Sequence, residues 1–147
     1  SKLLSAKPLE LSSAVSDLGQ RYLELQKSYR QLSTEIMLKD AKQIPMYDAI
    51  LYTALLADYE AMRVFCNHCI NKGISTVMVI TKNEVGYAYV IMSKIVDLQS
   101  IRAEFNMQIH AKGGGNSEMM QGSCTATPTE ISHAFGTLTG VTMHIVS

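Results

Sequence analysis

The sequence predicts an α/β protein: a long N-terminal coiled-coil helix, then an α/β sandwich with a mixed sheet. Three observations predict it. Apolar residues recur at alternating spacings of four and three from Leu11 to Ile36. The apolar period changes after Pro45. From there on, short runs rich in β-branched residues alternate with amphipathic stretches that begin at good capping residues, which is the pattern of layered α/β architecture. The division this implies is a helical arm over residues 1–44 and an α/β domain over residues 45–147.

The arm rests on Leu11, Val15, Leu18, Tyr22, Leu25, Tyr29, Leu32 and Ile36, the a and d positions of an unbroken heptad seam. Its flanks are polar, with Gln20, Arg21, Glu24, Lys27, Arg30 and Gln31. Such a narrow stripe needs a partner helix, either a second copy of the chain or another part of the same protein. The plainer reading is one amphipathic helix lying on its own domain. A strict a/d seam is narrower than a globular face, which favours coiled-coil dimerisation through these eight residues. Pro8 suits a helix start and Pro45 lies beyond the end, so the helix is expected from about Leu9 to about Lys42.

Ala49–Leu56 is a nearly continuous apolar run, short enough for a buried strand. Asp58 can cap a helix over Tyr59–Lys72 whose apolar face is Met62, Phe65, Cys66, Cys69 and Ile70, with Gly73 as its stop. Ile74–Thr81 and Val85–Met92 read as the arms of a hairpin around Lys82, Asn83 and Glu84. Asp97 can cap a helix over Leu98–Ile109 with Leu98, Ile101, Phe105 and Ile109 on one face. Gly113–Gly115 read as a loop, and Met119–Thr125 as a short strand. Thr129 can cap a last helix to Phe135, and Val141–Val146 reads as a terminal strand.

Composition bounds the function. With 147 residues, 47% hydrophobic and 18% charged, the chain is an ordinary globular one and disorder is not expected. Thirteen basic residues balance thirteen acidic ones. That argues against a strong non-specific nucleic-acid binder but leaves room for a local basic patch. No stretch has the length of a membrane span, so no membrane partner is expected. Three cysteines, an odd number, fit a reducing cytoplasm better than a secreted disulfide framework. The chain opens with Ser1 and is expected to be a piece of a longer protein.

The most informative segment is Gly113-Gly114-Gly115-Asn116-Ser117-Glu118-Met119-Met120-Gln121-Gly122-Ser123. It resembles the Gly-Gly-Gly-Arg-Pro-Asp-Met-Ala-Gln-Gly-Gly signature of the DHH-associated domain that closes alanyl-tRNA synthetases and the longer alanyl-tRNA editing proteins. The matching positions are Gly113, Gly114, Gly115, Glu118 (for Asp), Met119, Gln121 and Gly122. Asn116, Ser117, Met120 and Ser123 depart from it, and the first of these removes a phosphate-seeking arginine. By element order the resemblance covers about Ala49 to Phe135, together with the helical arm. A related domain closes phosphoesterases with an Asp-His-His metal centre. Those usually place His directly after the glycines, where this chain has Asn116, and no Asp-His-His occurs in the sequence.

The resemblance implies a non-catalytic domain that binds tRNA, helps to dimerise the protein and presents the right tRNA to a distant catalytic centre. In that family editing uses zinc, held by a His-x-x-x-His and a distant Cys-x-x-x-His. Neither spacing is present, so no cofactor is expected in this chain, and any zinc editing domain of the parent would lie upstream of Ser1. The expected partners are tRNA, specifically tRNA-Ala, and a second copy of the chain. The expected contacts to RNA are His110, Lys112, Gly113, Gly114, Gly115, Asn116 and Gln121. Two alternatives stand beside this reading: the substrate-clamping lobe of an Asp-His-His phosphoesterase, and an oligomerisation domain without RNA binding.

Read as chemistry alone, three glycines can present backbone amides to an anion, or can simply allow a tight crossing from helix to strand. They form no Walker loop, since no Gly-Lys-Ser/Thr follows, and no dinucleotide fingerprint, since they follow a helix and lead into a strand. Cys66 and Cys69 form a Cys-x-x-Cys on an apolar helix face, in the last turn where the dipole disfavours a thiolate, so they read as core. Tyr87 and Tyr89 share a strand face and could stack bases, but packing beneath a helix is the better reading. His133 and His144 have no acidic partner in sequence and are assigned no role.

Overall fold

The computed structural model describes residues 8–146, with side chains from Val15 onward; the side chain of Leu11 lies outside the described set. The chain divides between Leu32 and Ser33 into two compact units.

The first unit is helical. It holds most of helix α1, which spans Pro8–Gln43. Its seam residues Val15, Leu18, Tyr22, Leu25, Tyr29 and Leu32 are each more than half exposed. On the same stretch Gln26 Nε2 donates to Tyr22 Oη at 3.1 Å, one helical turn away.

The second unit is the mixed α/β sandwich that the sequence predicts. It contains β1 (Ala49–Ala54), α2 (Tyr59–Lys72), β2 (Thr76–Lys82), β3 (Tyr87–Ser93), α3 (Leu98–Gln108), β4 (Lys112–Gly115), β5 (Met119–Cys124), α4 (Pro128–Thr139) and β6 (His144–Val146). The sheet runs β4-β5-β3-β2-β1-β6. β1 is parallel to β2 and to β6, and the pairs β2–β3, β3–β5 and β4–β5 are antiparallel.

β2 lies inside the sheet and is buried on both faces, which explains its unbroken apolar run. Val77 and Val79 face one core layer, with Met62, Phe65, Cys66 and Cys69 of α2. Met78 and Ile80 face the other, with Leu98 and Phe105 of α3 and Ile131 and Phe135 of α4. The end of α1 belongs to the first layer through Met37 and Ala41. Tyr52 Oη donates to Asp40 Oδ2 at 2.6 Å, and the Ser33 hydroxyl donates to the Leu56 carbonyl.

The local signals act as the sequence suggests for α2. Asp58 accepts from the Ala61 amide at 2.8 Å, and Gly73 ends the helix at φ 121°. Asp97 likewise accepts from the Gln99 amide ahead of α3. Three expectations need correction. The glycine run is not a loop: Lys112–Gly115 forms the edge strand β4. Several strand ends shift inward, so β1 stops at Ala54, β3 starts at Tyr87 and β6 starts at His144. The cap of α4 is Thr127, not Thr129, and the helix runs on to Thr139 before Gly140 ends it in the left-handed region.

Thr127 and Glu130 form a reciprocal capping box: the Thr127 hydroxyl accepts from the Glu130 amide while the Glu130 carboxylate accepts from the Thr127 amide. Thr127→Ala is therefore expected to lower stability by about 1 kcal/mol, and Thr129→Ala by only a few tenths. Urea denaturation of both variants checks this, and equal losses would remove the assignment.

Candidate functional site

The site is built from the glycine strand and the helix beside it. Asn116 donates its amide to the Met119 carbonyl at 2.8 Å, closing the β4–β5 turn. The alternation of an antiparallel pair then points the amides of Gly114 and Lys112 toward β5 and leaves those of Gly113 and Gly115 on the open edge. The Gly115 carbonyl on that edge accepts from Arg102 Nη1 of α3 at 2.8 Å.

Glycine is required at particular places here. A Cβ at Gly113 would collide with the Gln121 carbonyl oxygen and lie 2.9 Å from the Tyr89 hydroxyl. Its cross-strand partner Gly122 is equally crowded, by the Lys112 carbonyl at 2.5 Å and by the same hydroxyl. Gly115 has φ 149°, which side chains rarely adopt. Gly114 differs: nothing lies within 4 Å of its Cβ position. That open space faces the α2 side of the sheet, the same side as Gln121.

A cleft of about 520 Å³ occupies this side, lined by Tyr59 and Arg63 of α2, Lys112, Gly113, Gly114 and Gly115 of β4, and Met119, Gln121 and Gly122 of β5. Arg63 Nη1 donates to Gln121 Oε1 at 2.7 Å, fixing the guanidinium over the sheet edge. Tyr59 is partly buried, and this burial raises its phenol pKa, so it stays a neutral donor. Two cations, edge amides and an amide side chain around an open groove are groups that can attract an anion.

Of the expected contacts, Lys112, Gly113, Gly114, Gly115 and Gln121 share this cleft. His110 and Asn116 do not line it. His110 is exposed at φ 54° just after α3. The Asn116 side chain is used within the turn, where its Oδ1 accepts from the amides of Glu118 and Met119. Arg63 and Tyr59 are not singled out by the sequence. Their spacing of four puts them on one helix face, but nothing local says which sheet edge that face meets.

The remaining constellations are structural. Cys66 and Cys69 are buried, and burial pushes the Cys66 thiol well up and the Cys69 thiol to about 11, so neither carries a thiolate near neutral pH. Tyr89 is fully buried against Phe105 and donates to Asn106 Oδ1 at 2.6 Å. His144 stacks on Tyr47 with ring centres 3.8 Å apart. Among the described residues no group of three or more His, Cys, Asp or Glu is placed to hold a metal ion. No helix among them is long and apolar enough to cross a membrane. A second cleft, about 610 Å³, lies between α2 and the segment after β3. There the Ile95 and Val96 amides are already bound by the Ser93 hydroxyl.

Solved structures share this fold at low sequence identity. The chain is similar to RecJ from Thermus thermophilus, in complex with Mg2+ (14% identity, 85% of this chain, 21% of that chain, TM-score 0.54). It is similar to the same protein in complex with Mn2+ (14% identity, 85% and 20%, TM-score 0.53), so it spans about a fifth of the RecJ chain. The C-Ala domain from Aquifex aeolicus alanyl-tRNA synthetase is also similar (19% identity, 65% of this chain, 92% of that chain, TM-score 0.47). These are likenesses of fold. No family model matches the sequence, and no curated protein matches it closely.

Proposed function

We propose that this chain is a non-catalytic tRNA-binding and dimerisation module of a cytoplasmic alanyl-tRNA synthetase-like or alanyl-tRNA-editing protein. Residues 45–147 hold the RNA, and residues 1–44 join two copies through the heptad seam. One observation carries the reading: Gly113, Gly114, Gly115 and Gln121 of the segment that resembles the synthetase signature, with Lys112 just before it, line a single open cleft with cationic walls. Backbone amides and cations at such a cleft suit the phosphodiester backbone of RNA. The module acts by position, raising the effective concentration of tRNA at a catalytic centre elsewhere in the parent.

Titration of labelled tRNA-Ala into the chain at two salt concentrations, with an unrelated tRNA as control, tests the reading. Tighter binding of tRNA-Ala that weakens with salt is expected. Lys112→Glu should then weaken binding about tenfold by reversing a cation in the cleft. Equal affinity for both RNAs would favour the substrate-clamping lobe of an Asp-His-His phosphoesterase, which would use the same cleft. No binding at low salt would leave oligomerisation as the module's function.

A further inference from the structure

We infer that Arg63 is the principal phosphodiester-holding group of the cleft, and that Gln121 serves it as a positioning residue and not as an RNA contact. This rests on the reading of the cleft as an RNA site. The glycine segment itself has Asn116 where its family signature has arginine, and Asn116 is committed to the turn. The cation comes instead from another element. α2 carries Arg63 to the rim, 58 residues away in sequence from the Gln121 amide oxygen it binds.

The geometry favours Arg63 over Lys112 for this task. Lys112 is an exposed, flexible ammonium at the start of the edge strand. Arg63 is half-buried, and Gln121 engages one Nη1 hydrogen, leaving a planar fork of donors for an anion. The engaged Gln121 oxygen is neutral, so it orients the guanidinium without cancelling its charge. The ligand sits where Gly114 leaves open space, between that fork and the outward amides of Gly113 and Gly115. Any side chain at position 114 would project into the same volume.

The test measures tRNA affinity of the full chain against salt for Arg63→Gln, Arg63→Lys, Gln121→Leu and the double variant Arg63→Gln/Gln121→Leu. Thermal unfolding of each confirms that the fold is kept. Arg63→Gln is expected to weaken binding at least tenfold and to flatten the slope of log affinity on log salt by about 0.7–0.9, one phosphate's worth. Arg63→Lys should recover the slope but only part of the affinity, since a point charge replaces the fork. Gln121→Leu should weaken binding in the parent chain and have no further effect in the Arg63→Gln background.

If Arg63→Gln leaves affinity and slope unchanged while Lys112→Glu lowers them, Arg63 is not the holder, though the RNA reading survives. Additive effects of the Arg63 and Gln121 changes would make Gln121 a direct contact and overturn its positioning role. No measurable binding by the parent chain would overturn both the inference and the reading beneath it.

Discussion

Gly122→Val should destabilise the α/β unit by about 3 kcal/mol and free the β4 edge, although Val is a better strand former than Gly. The reason is the closeness of two backbones. A Cβ at 122 would lie 2.5 Å from the Lys112 carbonyl oxygen, 2.8 Å from Gly113 Cα and 2.9 Å from the Tyr89 hydroxyl. Two of these are main-chain atoms and cannot rotate away. The third belongs to a ring that Phe105 holds edge-on, with centres 5.5 Å apart, and whose hydroxyl is committed to Asn106. Relief must come from β4 moving off β5, which breaks the pairing from Lys112 to Gly115 and opens the floor of the cleft. Gly114→Ala is the matched control. Its Cβ would meet nothing, so stability should change by no more than about 0.5 kcal/mol while the cleft narrows. Urea unfolding gives the stability, and hydrogen exchange at the Gly114 amide reports the edge. An unchanged midpoint for Gly122→Val would remove close backbone packing as the reason for the paired glycines.

The same segment shows how far sequence reasoning reaches. Features set by neighbours in sequence are legible: α2 begins and ends where its Asp58 cap and Gly73 stop put it, and its expected apolar face is buried. The cap at Thr127 is also legible in principle, because Thr and Glu three residues apart form a capping-box pattern; the expectation of Thr129 overlooks it. The strand at Lys112–Gly115 is not. Glycine carries no β propensity, and only the partner strand reveals that the run must be extended and bare. For the candidate site the division is similar. Lys112, the glycines and Gln121 can be found because one turn joins them. Arg63 cannot, because its place over the edge follows from how α2 packs on β3, which no local pattern encodes.

Replacing Leu18 and Leu25 together by Lys should convert the proposed dimer to a monomer while the melting of the α/β unit stays where it was. The seam residues from Val15 to Ile36 are 51–67% exposed and form a continuous apolar stripe. Fully burying an exposed side chain of this kind contributes about 1.5–3 kcal/mol, so these half-exposed ones gain roughly half of that each, and summed over two copies the seam is of the size needed to meet an association cost of about 4–15 kcal/mol. Two charges placed in adjacent heptads remove four such burials from a symmetric dimer and leave desolvated ammonium groups in their place. Among the described residues, the core of the second unit contains none before Met37. Sedimentation equilibrium should therefore give twice the chain mass of 16.2 kDa for the parent and the chain mass itself for the variant. A parent chain that sediments as a monomer at high micromolar concentration would end the dimer reading. Affinity for RNA measured on the monomeric variant then separates the roles of the two units. If one cleft suffices, binding per chain is unchanged. If a tRNA bridges both copies, it falls by the lost effective concentration of the second site.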